Sequence, residues 1–181
     1  MTSDAEDVTD LVRSGAPVRP VRPDFAFMRP RLSRWIALGC GSGLATTAPG
    51  TVGTLFGWLT FTVIARLFGD PGVIAAIVAG LAIGPWAIGR TGRDLGARDH
   101  GAIVWDEIVA IWLVLLLVPA TFTAQLVAFL LFRAFDVIKP PPIGVVDRRW
   151  RSAIGVIADD LLAAGYTVLA FALGQRLLGG G

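Results

Sequence analysis

The sequence predicts an all-α fold: a small polytopic membrane bundle of about four to five apolar helices behind a mobile N-terminal tail. Three observations predict it. Hydrophobic residues fill 54% of the 181 positions and charged residues only 17%, against roughly 25% in ordinary soluble domains. The apolar residues gather in long runs instead of alternating with polar ones, as in helices that meet lipid or other helices on most sides. The basic residues border these runs, which sets an orientation in a bilayer.

Residues 1–34 read as a disordered cytosolic tail. The chain opens "MTSDAEDVTD", acidic where the first region of a secretory signal is basic. It continues into the Pro- and Arg-rich "GAPVRPVRPDFAFMRPR", a composition with too few apolar residues to build a core. Residues 35–178 form the membrane-embedded helical domain. Val52–Phe68 and Gly72–Gly89 are each just long enough to span. Glu107–Val118 and Thr121–Phe135 are shorter and parted by Pro119, which predicts a tight helical hairpin. The first of that pair either enters the membrane obliquely or stays buried among the others. Leu161–Leu178 is the last apolar run. The pairs Gly53/Gly57 and Gly80/Gly84 have small-xxx-small spacing, read here as close helix packing within one chain.

Five spans with the N-terminus inside give the cytosolic side the tail, residues 90–106 and residues 134–155. Those regions and their helix ends hold 14 of the 16 Lys and Arg residues; Arg66 and Arg176 are the exceptions. The distribution predicts a multi-pass membrane protein with the tail and these two loops on the cytosolic side. The net charge of +2 does not predict nucleic-acid binding, because the arginines flank apolar runs and form no patch with interleaved aromatics. Cys40 is the only cysteine, so no disulfide forms within the chain, and His100 is the only histidine.

The acids carry the functional signal. Asp106, Glu107, Asp136, Asp147, Asp159 and Asp160 all map to the cytosolic edge. Asp106 and Glu107 start an apolar helix, where capping and the helix dipole are the ordinary explanation. Asp136 ends a helix, where the dipole disfavours an anion unless Lys139 offsets it. Asp159 and Asp160 lie inside "GVIADDLLAAGY" and cap nothing obvious. An ionised Asp deep in a bilayer costs roughly 2.5–3.5 kcal/mol on insertion scales, so something must offset the pair. Carboxylates converging on one membrane face suit a hard cation, Mg²⁺, which prefers oxygen ligands and retained water.

Several phosphatase chemistries are excluded. The position six residues after Cys40 is Thr46, where a cysteine phosphatase needs Arg. One histidine cannot supply a two-histidine lipid phosphatase, and the chain has no Asp-x-Asp pair and no Gly-Lys-Ser/Thr phosphate loop. Metal-assisted chemistry from carboxylates, with Lys or Arg for phosphate charge, is what remains.

"APGTVGT" (Ala48–Thr54), "DHGAIVWDEIVAIW" (Asp99–Trp112), "FRAFDVIKPPPI" (Phe132–Ile143) and "VIADD" (Val156–Asp160) stand in the order found in bacterial phosphatidylglycerophosphatase A. The chain resembles that family from Leu38 to Tyr166. The resemblance implies a Mg²⁺-dependent helical membrane enzyme that removes the terminal phosphate of phosphatidylglycerophosphate. Carried over by position, Asp106, Glu107, Asp136, Lys139, Asp147, Asp159 and Asp160 are its candidate site residues, with His100 and Thr51 in the same motifs. The chain departs from the family at Arg151-Ser152-Ala153, where His-Gly-Gly often stands, and at Ala164, where Gly often follows the acidic pair.

The expected mechanism has Asp106, Glu107, Asp136, Asp159 and Asp160 around Mg²⁺, with Glu107, Asp136, Lys139 and Asp160 in catalysis. A water attacks phosphorus and Glu107 accepts its proton, with a covalent aspartyl-phosphate route as the alternative. Lys139, Arg148 and His100 balance phosphate charge, with Asp147 beside them, while the turn bearing Thr51 and Thr54 embraces the headgroup. The expected partners are a phosphorylated glycerophospholipid and the bilayer, with no nucleic acid. Two other classes fit less well. A CDP-alcohol phosphatidyltransferase expects Asp-Gly-x-x-Ala-Arg, which "RDLGARDH" matches only superficially. A cation-binding or transport protein would place acids at mid-span, not along one edge.

Overall fold

In the structure, a computed structural model, residues 22–97, 100–141, 143–144 and 152–179 are described. Among them no strand occurs, and the regular elements are helices. These are α1 (Phe25–Met28), α2 (Leu32–Ala37), a short 3₁₀ segment (Gly39–Leu44), α3 (Pro49–Asp94), α4 (Trp105–Leu117), α5 (Phe122–Ile138) and α6 (Ala153–Gly179).

The last residues of the predicted tail carry helical structure. Asp24 Oδ1 accepts a hydrogen bond from Phe27 N at 2.7 Å and caps α1. Met28 is buried with Leu38 and Ala102. Arg31 and Arg34 pair with Asp94 at the far end of α3, at 2.9 and 3.0 Å. Charged side chains that read as solvated in sequence thus tie α2 to the bundle. Residues 1–21 of the expected tail lie outside the described residues.

Helix α3 has 46 residues and is broken at Gly69, whose φ of 63° and ψ of −167° belong to no helix. Such a conformation suits glycine, and Pro71 then starts the second arm. The two arms match the two apolar runs of the sequence. Gly57 in the first arm packs on Ile108 and Ile111, and Gly80 in the second packs on Val109. These glycines are 23 residues apart, about 35 Å along a straight helix, whereas the 13-residue α4 is about 20 Å long. Both arms therefore flank α4, folded back on one another at Gly69.

Those close approaches explain the glycines. A Cβ at Gly57 would stand 2.6 Å from Ile111 Cγ2, and one at Gly80 would stand 2.7 Å from Val109 Cγ2. Trp112 Nε1 donates to Gly57 O at 2.9 Å and Trp105 Nε1 to Gly80 O at 3.0 Å, so α4 is pinned to each arm at its glycine. The small-residue pairs serve packing within the chain, as the sequence reading expects. Helix α4 is the core of the bundle, with Ile108, Val109, Ala110, Ile111, Val114 and Leu115 all buried. Of the two placements open for this run, burial among the other helices is the one observed.

Two helices among the described residues are long and apolar enough to cross a membrane, Pro49–Asp94 and Ala153–Leu177. Helix α4, with 13 residues, falls short of a span, and α5, with 17, stands at the lower limit. Outside the core, Leu59, Leu67, Phe68, Val78, Phe122, Leu130, Leu169 and Leu173 are all at least half exposed. Apolar exposure on this scale suits a lipid-facing surface better than water.

Candidate functional site

Three helix ends meet at one end of the bundle. The start of α4 contributes Asp106 and Glu107, the end of α5 contributes Asp136 and then Lys139, and the second turn of α6 contributes Asp159 and Asp160. Both α4 and α6 direct their N-terminal dipoles towards this end, which favours negative charge there. Helix α5 stops because Lys139 takes left-handed angles (φ 47°, ψ 58°) and Pro140 follows. That strained cap brings the ammonium to the acids. Lys139 Nζ donates to Asp159 Oδ2 at 2.6 Å.

Asp106, Glu107, Asp136, Lys139, Asp159 and Asp160 line one cavity of about 290 Å³, together with Gly101, Ile103, Val137 and Val156. Asp106, Asp159 and Asp160 are only 7%, 4% and 3% exposed. Burying so many carboxylates costs several kcal/mol each unless cations or hydrogen bonds compensate. Compensation is partial. Arg133 Nη1 donates to Asp136 Oδ2 at 2.7 Å and to Glu107 Oε1 at 3.1 Å. Asp106 Oδ1 and Asp160 Oδ2 are buried and accept no hydrogen bond. No group of three or more His, Cys, Asp or Glu side chains among the described residues forms a ready-made metal cluster.

Six of the predicted site residues are thus brought to one wall-to-wall site. The others are placed differently. Thr54 is buried behind the acids, where its hydroxyl donates to Gly50 O at 2.8 Å and receives Arg133 Nη1 at 3.4 Å. Thr51 does not appear in the described lining. His100 borders a neighbouring hollow of about 330 Å³ with Arg22, Thr46 and Pro49, joined to the acidic cavity through Gly101. Its Nδ1 accepts a hydrogen bond from Ala102 N at 3.2 Å, which leaves Nε2 as the protonated nitrogen of the neutral ring. Asp147 and Arg148 lie outside the described residues. A larger hollow of about 620 Å³, beside Trp58 and Phe122, contains Arg66 but no acid.

The sequence reading missed Arg133. Its spacing of three from Asp136 puts the two on one helical face, a signal that was available. The second partner, Glu107, is 26 residues away and becomes visible only once α4 and α5 pack.

Fold and site define a class: an all-helical, largely apolar protein with a buried carboxylate cavity beside a lysine and an arginine. The family model of phosphatidylglycerophosphatase A matches residues 35–175, and the chain belongs to that family. A Haemophilus influenzae protein named phosphatidylglycerophosphatase A is 38% identical over 135 residues, 74% of this chain and 83% of its own length. The Escherichia coli protein of that name is 34% identical over 154 residues, 81% of this chain and 87% of its own length. A Bacteroides thetaiotaomicron protein, provisionally named a phosphatidylinositol-3-phosphatase, is 30% identical over 151 residues, covering 80% and 94% of the two chains. No solved structure matches the chain.

Proposed function

We propose that this chain hydrolyses phosphatidylglycerophosphate to phosphatidylglycerol and inorganic phosphate, with Mg²⁺ bound in the acidic cavity at the cytosolic face of the inner membrane. As a member of its family it is a phosphoric monoester hydrolase. The observation that carries the reading is the convergence of six motif residues, from three helices, on one cavity.

The donor set suits Mg²⁺. This ion is commonly held by one or two carboxylates together with water and phosphate oxygens, without an all-protein cage. Asp106 and Asp160, each with a buried oxygen free of hydrogen bonds, are the primary ligands of this reading, with Asp136 and Asp159 near them. When bound, the ion offsets carboxylate charge, polarises the phosphoryl group and acidifies water.

The protein's own groups do the rest. Lys139, at the cavity wall, attracts the phosphate dianion and orients Asp159 through their 2.6 Å hydrogen bond. Glu107 accepts the proton of the attacking water, its carboxylate held in place by Arg133 at Oε1. The water oxygen forms the new bond to phosphorus as the bond to the glycerol oxygen breaks, and the leaving oxygen takes up a proton. The site needs no tunnel, because a phosphorylated headgroup already lies at the membrane surface. The starts of α4 and α6 and the end of α5 meet at one end of the bundle, which suits a site at headgroup depth.

A headgroup panel tests the substrate. Purified protein in mixed micelles is given phosphatidylglycerophosphate, phosphatidylinositol 3-phosphate or phosphatidic acid, and phosphate release is measured. Release at least tenfold faster from phosphatidylglycerophosphate is expected. Preference for either other lipid would overturn the substrate assignment and keep the phosphatase.

A further inference from the structure

We infer that Arg133 is a positioning residue, which fixes Glu107 and Asp136 in one arrangement from behind the cavity, and that Gly50 is glycine to admit it. The inference rests on the lipid phosphatase reading above. Arg133 is absent from the described cavity lining, whereas both of its acidic partners are present. One nitrogen, Nη1, serves Asp136 on α5 at 2.7 Å, Glu107 on α4 at 3.1 Å and Thr54 on α3 at 3.4 Å. Three helices are joined through one guanidinium. Without that cation, two partly buried carboxylates would face one another at the edge of a low-dielectric interior and swing apart.

Gly50 lies in the first turn of α3, against this cluster. A Cβ there would collide with Glu107 Oε1 and stand 3.0 Å from Arg133 Nη2. Any side chain at position 50 would therefore displace the pair. Thr54, one turn later, completes the seat: its hydroxyl proton goes to Gly50 O, leaving the oxygen to accept from Arg133. The "APGT" turn, which the sequence suggests as a headgroup cradle, is in this light the back wall of the acidic site.

Two readouts test this. The first is steady-state phosphate release by wild type, Arg133→Lys and Arg133→Met. Misplacement of a reacting group by about 1 Å can cost about 100-fold. Expected is a fall in kcat of about that size for Arg133→Met, partial rescue by Arg133→Lys, and KM within about threefold of wild type. A raised KM at unchanged kcat would overturn the inference in favour of direct phosphate binding, and unchanged kinetics would overturn it outright. The second readout is a thermal-stability cycle that does not depend on turnover, using Arg133→Met, Glu107→Gln and the double variant. Expected is a smaller loss of Tm in the double variant than the sum of the single losses; additive losses would overturn the coupling. Failure of the wild type to release phosphate from any lipid would contradict the functional reading alone, and the cycle would still decide the question of Arg133.

Discussion

Asp160 shows how function and stability oppose one another at a single residue. It is almost fully buried, and one of its oxygens accepts no hydrogen bond. Asp106 and Asp136 stand in the same cavity, with no arginine or lysine hydrogen-bonded to Asp160 among the described residues. Replacing it by Asn keeps the shape and removes a buried acid from beside Asp106 and Asp136. Asp160→Asn is expected to raise stability in metal-free detergent solution by about 1–2 kcal/mol while turnover falls by at least about 100-fold. Calorimetry beside a phosphate assay checks both; a destabilised variant would mean that the carboxylate is compensated by the protein itself. Gly50 provides a second residue-scale check. Gly50→Ala should cost about 1–3 kcal/mol and reduce activity, because its methyl group meets Glu107 and Arg133. Gly165→Ala is the control, since nothing stands within 4 Å of its Cβ. That helical replacement should be neutral or stabilising by up to about 1 kcal/mol.

At the scale of elements, α4 is the organising piece, clasped between the two arms of α3. Gly57→Val should cost about 1–3 kcal/mol in thermal unfolding, because the added atoms reach Ile111 and the backbone of Ile108. A loss of under about 0.5 kcal/mol would mean that α3 and α4 can separate without penalty. Much of this layout was legible in the sequence. The break between the arms is announced by Gly69-Asp70-Pro71, and the small-residue spacing announces the tight packing. The shortness of α4 left only oblique insertion or burial. The acids were legible in part: Asp136 and the Asp159-Asp160 pair sit where an apolar helix gives no reason for them, whereas Asp106 and Glu107 start a helix, where capping is the ordinary explanation. Contacts between distant segments were not. Arg31 and Arg34 read as tail charges until Asp94, some 60 residues later, is folded against them. His100, placed by its motif with the phosphate, borders the adjoining hollow, a distinction that no spacing rule resolves.

At the scale of the whole molecule, the acidic cavity must face the cytosol if the Lys and Arg distribution sets the topology. Cys40 offers a direct check, being the sole cysteine, exposed, and in the 3₁₀ segment whose end borders the His100 hollow. A membrane-impermeant maleimide should label it in inverted vesicles and leave it unlabelled in intact spheroplasts; the reverse pattern would invert the topology. The central claim is that one acidic cavity, loaded with Mg²⁺, removes phosphate from a phospholipid headgroup. The most direct test is phosphate release from phosphatidylglycerophosphate in micelles by wild type and folded Asp160→Asn, each with Mg²⁺ and with EDTA. Release by the wild type that requires Mg²⁺ and vanishes in the folded variant is the predicted result. No release by well-folded wild type with any divalent ion, or equal release by the variant, would contradict it.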